Sequence, residues 1–198
     1  MMSEAKRKKT IVVSAFPACG KSYTYKNFNG KPYTMIDSDS SKFSWIYEDG
    51  VKTDKRNPNF IKDYIAHNIK ENIGKVDCIF VSSHAEVRKA LRDNNIKYFM
   101  IYPSLNMKDE MLRRMEERGN DDKFIEFQNT HYEEFITSIV EEINDLNQNT
   151  PFINDDILKH TPCHGIELNE KQPYIDNRLI DYLLDNCMGN LSCLWWNY

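Results

Sequence analysis

The sequence predicts an α/β protein built on a parallel sheet. Three observations predict it. Short apolar runs rich in β-branched and aromatic residues alternate with segments of helical periodicity. The first run passes directly into a Gly-Lys-Ser turn that opens a helix. Hydrophobic residues fill 40% of the 198 positions, enough to cover a sheet on both faces.

The elements follow in order. Residues 10–15 (TIVVSA) form a buried strand, bounded by charge before and by Pro17 and Gly20 after. Residues 21–28 form a helix. Residues 33–36 (YTMI) form a second strand ending at Asp37, and the polar stretch 38–58 shows no usable period. Asn57-Pro58-Asn59 starts a helix that carries Ile61, Tyr64, Ile65, Ile69 and Ile73 on one side and stops at Gly74. Residues 76–82 (VDCIFVS) make the third strand, 85–94 a short helix, and 98–102 (YFMIY) the fourth strand. A helix over 107–118 ends at Gly119-Asn120. The last long helix spans 122–146, with Phe127, Tyr132, Phe135, Ile136, Ile139, Val140 and Ile143 on its buried side. The alternation breaks there. Residues 1–146 read as one domain, and 147–198 as an extension that packs on the core or forms a small cap.

Several classes of function are disfavoured. The net charge is −4, from 26 Lys and Arg against 30 Asp and Glu. A protein that coats nucleic acid is usually basic, so only a local groove for a 5′ end is expected. No apolar run approaches the roughly 18–20 residues that span a bilayer, so no membrane partner is expected. The charged N-terminus leads into too short an apolar run for a signal peptide. Five irregularly spaced cysteines read as reduced thiols of a cytoplasmic protein.

The strongest motif is Ala15-Phe16-Pro17-Ala18-Cys19-Gly20-Lys21-Ser22. It matches the last three positions of G-x-x-x-x-G-K-[ST], with Ala15 at the first glycine. Strand and helix flank it as the chemistry requires. Backbone N–H groups of 15–20, Pro17 excepted, and the start of the helix, through Tyr23, surround phosphate oxygens, and the helix dipole adds positive potential. Lys21 reaches the terminal phosphates and Ser22 can hold Mg²⁺. Alanine is small enough for close approach, but a positive φ at Ala15 is costly.

Asp37 and Asp39 follow the second strand, where an open α/β sheet binds ligands. Either can hold the shell of Mg²⁺ or take a proton from a hydroxyl; either can also cap a turn. The third strand ends in Ser82-Ser83-His84 without an acid, so the carboxylate must come from this pair. Arg113, Arg114 and Arg118 lie on one helix, with 114 and 118 sharing a face suited to a transferring phosphoryl group or to solvent. Arg88 and His84 flank the end of the third strand and are candidates for substrate contact. His160, Cys163 and His164 fit no familiar zinc spacing. Trp195-Trp196 reads as a docking anchor for the tail.

With these residues placed, the chain resembles the P-loop nucleotide kinase group, and within it the small nucleoside-monophosphate-kinase-like proteins common in phages and bacteria. The resemblance covers about residues 9–146. It rests on AFPACGKS, on MIDSDSSKF after the second strand, on FVSSHAEVR after the third, and on LRRMEERGNDDKF. It implies a P-loop NTPase three-layer sandwich with strand order 2-3-1-4, although no clear fifth strand follows the arginine-bearing stretch. It implies an ATP·Mg²⁺ donor and transfer of the γ-phosphoryl group to a small nucleotide acceptor, a (deoxy)nucleoside monophosphate. Lys21 and Ser22 become donor-site residues, Arg88 a holder of the acceptor phosphate, and Arg114 and Arg118 lid arginines. The segment after the second strand also resembles that of kinases acting on hydroxyls, including 5′-hydroxyl ends, whose aspartate serves as base. A binding module with slow or no turnover is the third expectation.

Overall fold

The computed structural model describes residues 9–30, 32–38, 40–149 and 165–189. The chain folds as an α/β protein with a five-stranded sheet, every neighbouring pair parallel. The strands are β1 (Ile11–Ala15), β2 (Met35–Asp37), β5 (Cys78–Ser82), β6 (Phe99–Pro103) and β7 (Gly165–Leu168), in the spatial order β2-β5-β1-β6-β7. The first four strands therefore stand as the expected 2-3-1-4. The fifth comes from the segment beyond residue 146.

All five residues of β1 are buried. Side chains alternate between faces along a strand, so burial of every position means that both faces are covered. β1 is paired on both edges, with Val13 opposite Phe80 of β5 and Phe99 of β6. Its apolar content therefore belongs to the centre of the sheet.

Helices supply the covers. α1 (Lys21–Phe28) leads from β1 past β5 to β2, and α4 (Ala85–Asp93) leads from β5 past β1 to β6. Right-handed crossovers moving in opposite directions place these two helices on opposite faces. α6 (Asp122–Asn149) joins α4 through the ion pair Arg88–Glu142. α7 (Asn177–Gly189) joins the α1 side, where the Tyr33 hydroxyl donates to Asp181. Tyr132, Ile136, Ile139 and Ile143 form the buried stripe of α6 at spacings of three and four. Phe127, expected on that stripe, is 50% exposed because Gln128 holds the buried position one turn before Tyr132. Phe127 instead stacks with His131 and Phe135 on the outer flank.

The described residues of the stretch 40–58 form regular elements. α2 (Ser41–Ser44) leads into β3 (Trp45–Glu48), which pairs antiparallel with β4 (Val51–Arg56). The two-residue turn is Asp49-Gly50, with φ of 50° and 80°. Positive φ at both positions is what a type I′ turn demands, and Asp-Gly is a strong sequence signal for it. α3 (Phe60–Asp63) continues as a π-helix over Tyr64–Lys70, where the sequence predicts one helix reaching Ile73.

β7 lies close under α6. A Cβ on Gly165 would sit 2.3 Å from Ile143 Cδ1 and 2.9 Å from its Cγ1. Glycine is what lets this strand approach the helix. Among the described residues no helix is long and apolar enough to cross a membrane.

Candidate functional site

The phosphate-loop motif begins where β1 ends. The Phe16 N–H donates to the Ile101 carbonyl at 2.9 Å, so sheet bonding continues one residue past the strand. The chain then turns sharply, with φ of 62° at Ala18 and 103° at Gly20. Ala15 is not among the positive-φ residues, so its methyl group meets no backbone strain. The strained conformation falls on Ala18 instead, at about 1–2 kcal/mol.

Gly20 caps α1 without a side-chain hydrogen bond, and the first turn of α1 carries no acidic residue. Helices normally place a carboxylate or a hydroxyl cap there. This helix end keeps its positive potential for something else. Ser22 sits in that turn, partly exposed. Tyr23 points outward at 64% exposure, its ring edge-on to Phe28. Pro17 and Ala18 are partly exposed on the loop, and Cys19 is fully buried. Burial pushes the Cys19 thiol up to about 12. It is a packing group and not a nucleophile.

Lys21 folds back over the loop. Its Nζ donates to the carbonyls of Ala15 and Phe16, the latter at 3.1 Å. Burial lowers its pKa to about 8, with Cys19 and Asp37 opposing the shift and Arg118 adding to it. Asp37, at the end of β2, and Arg118, beyond α5 (Lys108–Glu117), thus lie within electrostatic reach of the same ammonium. Asp39 lies outside the described residues, as do His160, Cys163, His164, Trp195 and Trp196.

The three arginines separate. Arg113 is exposed and pairs with Glu110 and Glu117 on the solvent face. Arg114 is buried, donates to Glu110 at 2.8 Å and to the Pro173 carbonyl at 2.8 Å, and lies 3.9 Å over the Tyr174 ring. The two guanidinium groups hold Glu110 down at about 2, Arg113 contributing most. Arg118 is exposed, with Nε donating to Asn120 Oδ1 at 3.2 Å. The shared 114/118 face predicted from spacing is thus one clamped residue and one open residue.

Arg88 is also committed within the fold. It is 3% exposed, donates to Glu142 at 2.9 Å and to Ser138 Oγ at 3.1 Å, and bonds the Ser83 carbonyl. The structure gives it a partner for each nitrogen, so no guanidinium stands open toward an acceptor. α6 covers the α4 face that the sequence alone leaves ambiguous.

His84 stands exposed after β5, its Nδ1 2.9 Å from Ser82 Oγ. Desolvation of the ring, then the charge of Lys21, lowers its pKa; Arg56 and Arg88 act the same way and Glu86 opposes them. The surroundings therefore favour the neutral imidazole. Behind it, Tyr64 is fully buried. Its hydroxyl donates to the Ser38 carbonyl at 3.0 Å and accepts from Ser82 N at 3.4 Å. One phenol therefore fixes the ends of β2 and β5 relative to each other. Helical spacing marks Tyr64 as core; only the fold reveals what its hydroxyl does.

The segment after β7 closes over the loop. Ile175 N donates to the Cys19 carbonyl at 2.9 Å, and Thr24 Oγ1 donates to the Ile175 carbonyl at 2.7 Å. A Cβ on Gly20 would meet the Ile175 backbone at 3.4 Å. Sequence reasoning missed this strap, because nothing local to residues 173–175 signals a contact with residues 19–24. Two grooves lie elsewhere. One of about 700 Å³ is lined by Phe60, Ile65 and Ala90, and one of about 320 Å³ by Arg92 and Glu142.

Against known proteins, no family model and no curated protein matches this chain. The site consists of a glycine-turned loop at the end of a central strand, an uncapped helix start, and a lysine on which the charges of Asp37 and Arg118 act.

Proposed function

We propose that the protein is a P-loop phosphotransferase that moves the γ-phosphoryl group of ATP to a small nucleotide acceptor, a (deoxy)nucleoside monophosphate. One observation carries the reading. The loop after β1 turns through positive φ at Ala18 and Gly20 into an uncapped, acid-free helix start, with the Lys21 ammonium held over it. A polyphosphate is the ligand whose charge and shape answer that arrangement.

The donor set also suits Mg²⁺. Among the described residues no group of three or more His, Cys, Asp or Glu gathers around a point. Mg²⁺ in such sites relies on one or two protein oxygens, with phosphates and waters supplying the rest. Ser22 and Asp37 are the residues that would hold it. When bound, the ion would neutralise negative charge on the phosphates.

The chain's own residues do the remaining work. Loop amides fix the phosphates. Lys21 moves from the Ala15 and Phe16 carbonyls to phosphate oxygen. Arg118, open and within reach of Lys21, adds positive charge where the transferring group passes. Arg114 holds the Pro173–Ile175 strap and so positions the loop. A phosphate acceptor needs no strong base; for a hydroxyl acceptor Asp37 or Asp39 would take the proton. The buried free thiols Cys19 and Cys78 suit the reducing cytoplasm.

The test is ADP release from ATP·Mg²⁺ against nucleoside monophosphates, nucleosides and a 5′-hydroxyl oligonucleotide, with Lys21→Ala as blank. Stimulation by one or a few monophosphates, reduced at least about 100-fold in the variant, is expected. Stimulation only by hydroxyl acceptors would replace this reading with a 5′-hydroxyl kinase. ATP binding without any stimulation would leave a nucleotide-binding module.

A further inference from the structure

Ser38 follows Asp37 at the end of β2, and every polar atom it carries is engaged. Its N–H donates to the Phe80 carbonyl of β5 at 3.0 Å. Its carbonyl accepts from the Tyr64 hydroxyl at 3.0 Å, and its Oγ accepts from Asn68 Nδ2 at 2.6 Å. Ser38 itself is buried. Two of its three partners, Tyr64 and Asn68, come from the π-helix over Tyr64–Lys70. Such wide turns are rare and recur at functional sites.

The grip is stiff. Tyr64 is fully buried, with the rings of Phe43 and Phe60 packed on it at centroid distances of 5.6 and 5.8 Å. Ile65 and Ile69 root the π-helix in the core. The Tyr64 hydroxyl also accepts from Ser82 N at 3.4 Å, and the Ser82 carbonyl accepts from Ser14 Oγ at 3.2 Å. The connection thus runs from Ser38 through Tyr64 and Ser82 to β1, one residue before Ala15, where the phosphate loop begins. Joining β2 to β5 needs only the ladder and the phenol. The Asn68 bond adds a third point of attachment, and three points fix orientation as well as position.

Asp37 is left open beside this anchor. It stands opposite Phe80, two strands and about 10 Å from Val13. It is partly exposed, and among the described residues no donor bonds its carboxylate. An open carboxylate next to a fully tied residue is the arrangement a metal ligand requires. Mg²⁺ demands near-ideal octahedral geometry with oxygens at about 2.1 Å, so a ligand displaced by about 1 Å no longer serves it. We propose that Tyr64 and Asn68 are positioning residues, which clasp Ser38 so that the Asp37 carboxylate stands where the Mg²⁺ of a bound nucleotide needs it.

The metal and nucleotide rest on the phosphotransferase reading; the clasp does not. The experiment is calorimetry of ATP binding to the full chain, once with excess Mg²⁺ and once with EDTA. Wild type is compared with Asp37→Asn, Tyr64→Phe, Asn68→Ala, Ser38→Ala and the Asn68→Ala, Ser38→Ala pair, each checked by thermal melting. Mg²⁺ is expected to strengthen ATP binding to wild type, and Asp37→Asn to lose most of that gain. Tyr64→Phe and Asn68→Ala should each cut the gain about tenfold, while affinity in EDTA stays within twofold of wild type. Ser38→Ala should match Asn68→Ala, and the pair should lose no more than either alone, because both substitutions delete the same bond. A purely structural role would instead weaken ATP equally with and without Mg²⁺, in step with a lower melting temperature, and that result overturns the proposal. So does a metal gain that survives every variant. If Tyr64→Phe does not fold, Asn68→Ala and Ser38→Ala decide the matter. Wild type that fails to bind ATP would sink the phosphotransferase reading and this inference together. A gain lost in the variants as expected, with no acceptor stimulating ADP release, would sink the phosphotransferase reading and leave the clasp standing.

Discussion

Burial lowers the Lys21 pKa from the ordinary 10.5 to about 8, so the free protein holds part of this lysine uncharged at pH 8. The sign of the consequence follows from linkage. The folded state binds the proton less tightly than the unfolded state, so the charged form carries a cost that is fully present below about pH 8. That cost is relieved as pH rises from 8 toward 10.5. A polyphosphate reverses the local field and raises the lysine pKa. Nucleotide binding should therefore take up about half a proton at pH 8, approaching one near pH 9, and almost none at pH 6.5. Calorimetry of ATP·Mg²⁺ binding in buffers of different ionisation enthalpy measures this directly. Equal uptake in Lys21→Ala would assign the proton to another group. Lys21 and Ser22 were legible in the sequence because their motif is local, and their neighbours within eight residues define their surroundings. Arg88 was legible only as a cation near the end of a strand. Which face of its helix meets α6 is decided by packing fifty residues away.

At the scale of elements, α4 and α6 are joined by a buried polar node. Glu142 receives Arg88 at 2.9 Å, pairs with Arg92, and accepts from the Tyr98 hydroxyl. Burial alone would raise the Glu142 pKa; the hydrogen bonds from Tyr98 and Arg88 override it and lower it. Its contribution to stability is present above the ordinary carboxylate range and is lost as pH falls through it. Arg88→Ala removes one of two cations on Glu142 and the donor to the Ser83 carbonyl, so it should reduce unfolding free energy by roughly 1–3 kcal/mol. The acceptor KM of the folded variant should stay within twofold. Urea unfolding and steady-state kinetics read the two quantities separately. A large KM change with little loss of stability would return Arg88 to the acceptor. Long periodic elements such as α6 were readable because their stripe repeats over many turns. The β3–β4 hairpin was readable in principle from Asp49-Gly50, but its strands are polar and nearly all exposed, and alternation of burial is the signal that finds strands. β7 has four residues, too few for any period.

For the molecule as a whole, the segment beyond α6 completes the sheet and the loop together. Leu168, Ile175, Leu179, Ile180 and Leu183 are all buried. At about 1.5–3 kcal/mol for each side chain, they contribute on the order of 10 kcal/mol, comparable with the entire stability of a domain. A chain ending at Asn149 should therefore show no cooperative unfolding transition in scanning calorimetry and no ATP binding. A sharp transition from that chain would make the segment dispensable. The strand order was expected from the family resemblance, and the tail was not legible, because its anchor points are far away in sequence. That distance has a temporal side. Thr24 and Ile175, joined by one hydrogen bond, are 151 residues apart. A ribosome adding about 5–20 residues each second separates their synthesis by roughly 8–30 s. Throughout that interval the nascent chain displays a glycine-turned loop whose closing strap has not been made. On the proposed reading, nucleotide capture waits until translation has passed Ile175, so ATP would stabilise the nearly finished product and not the growing one.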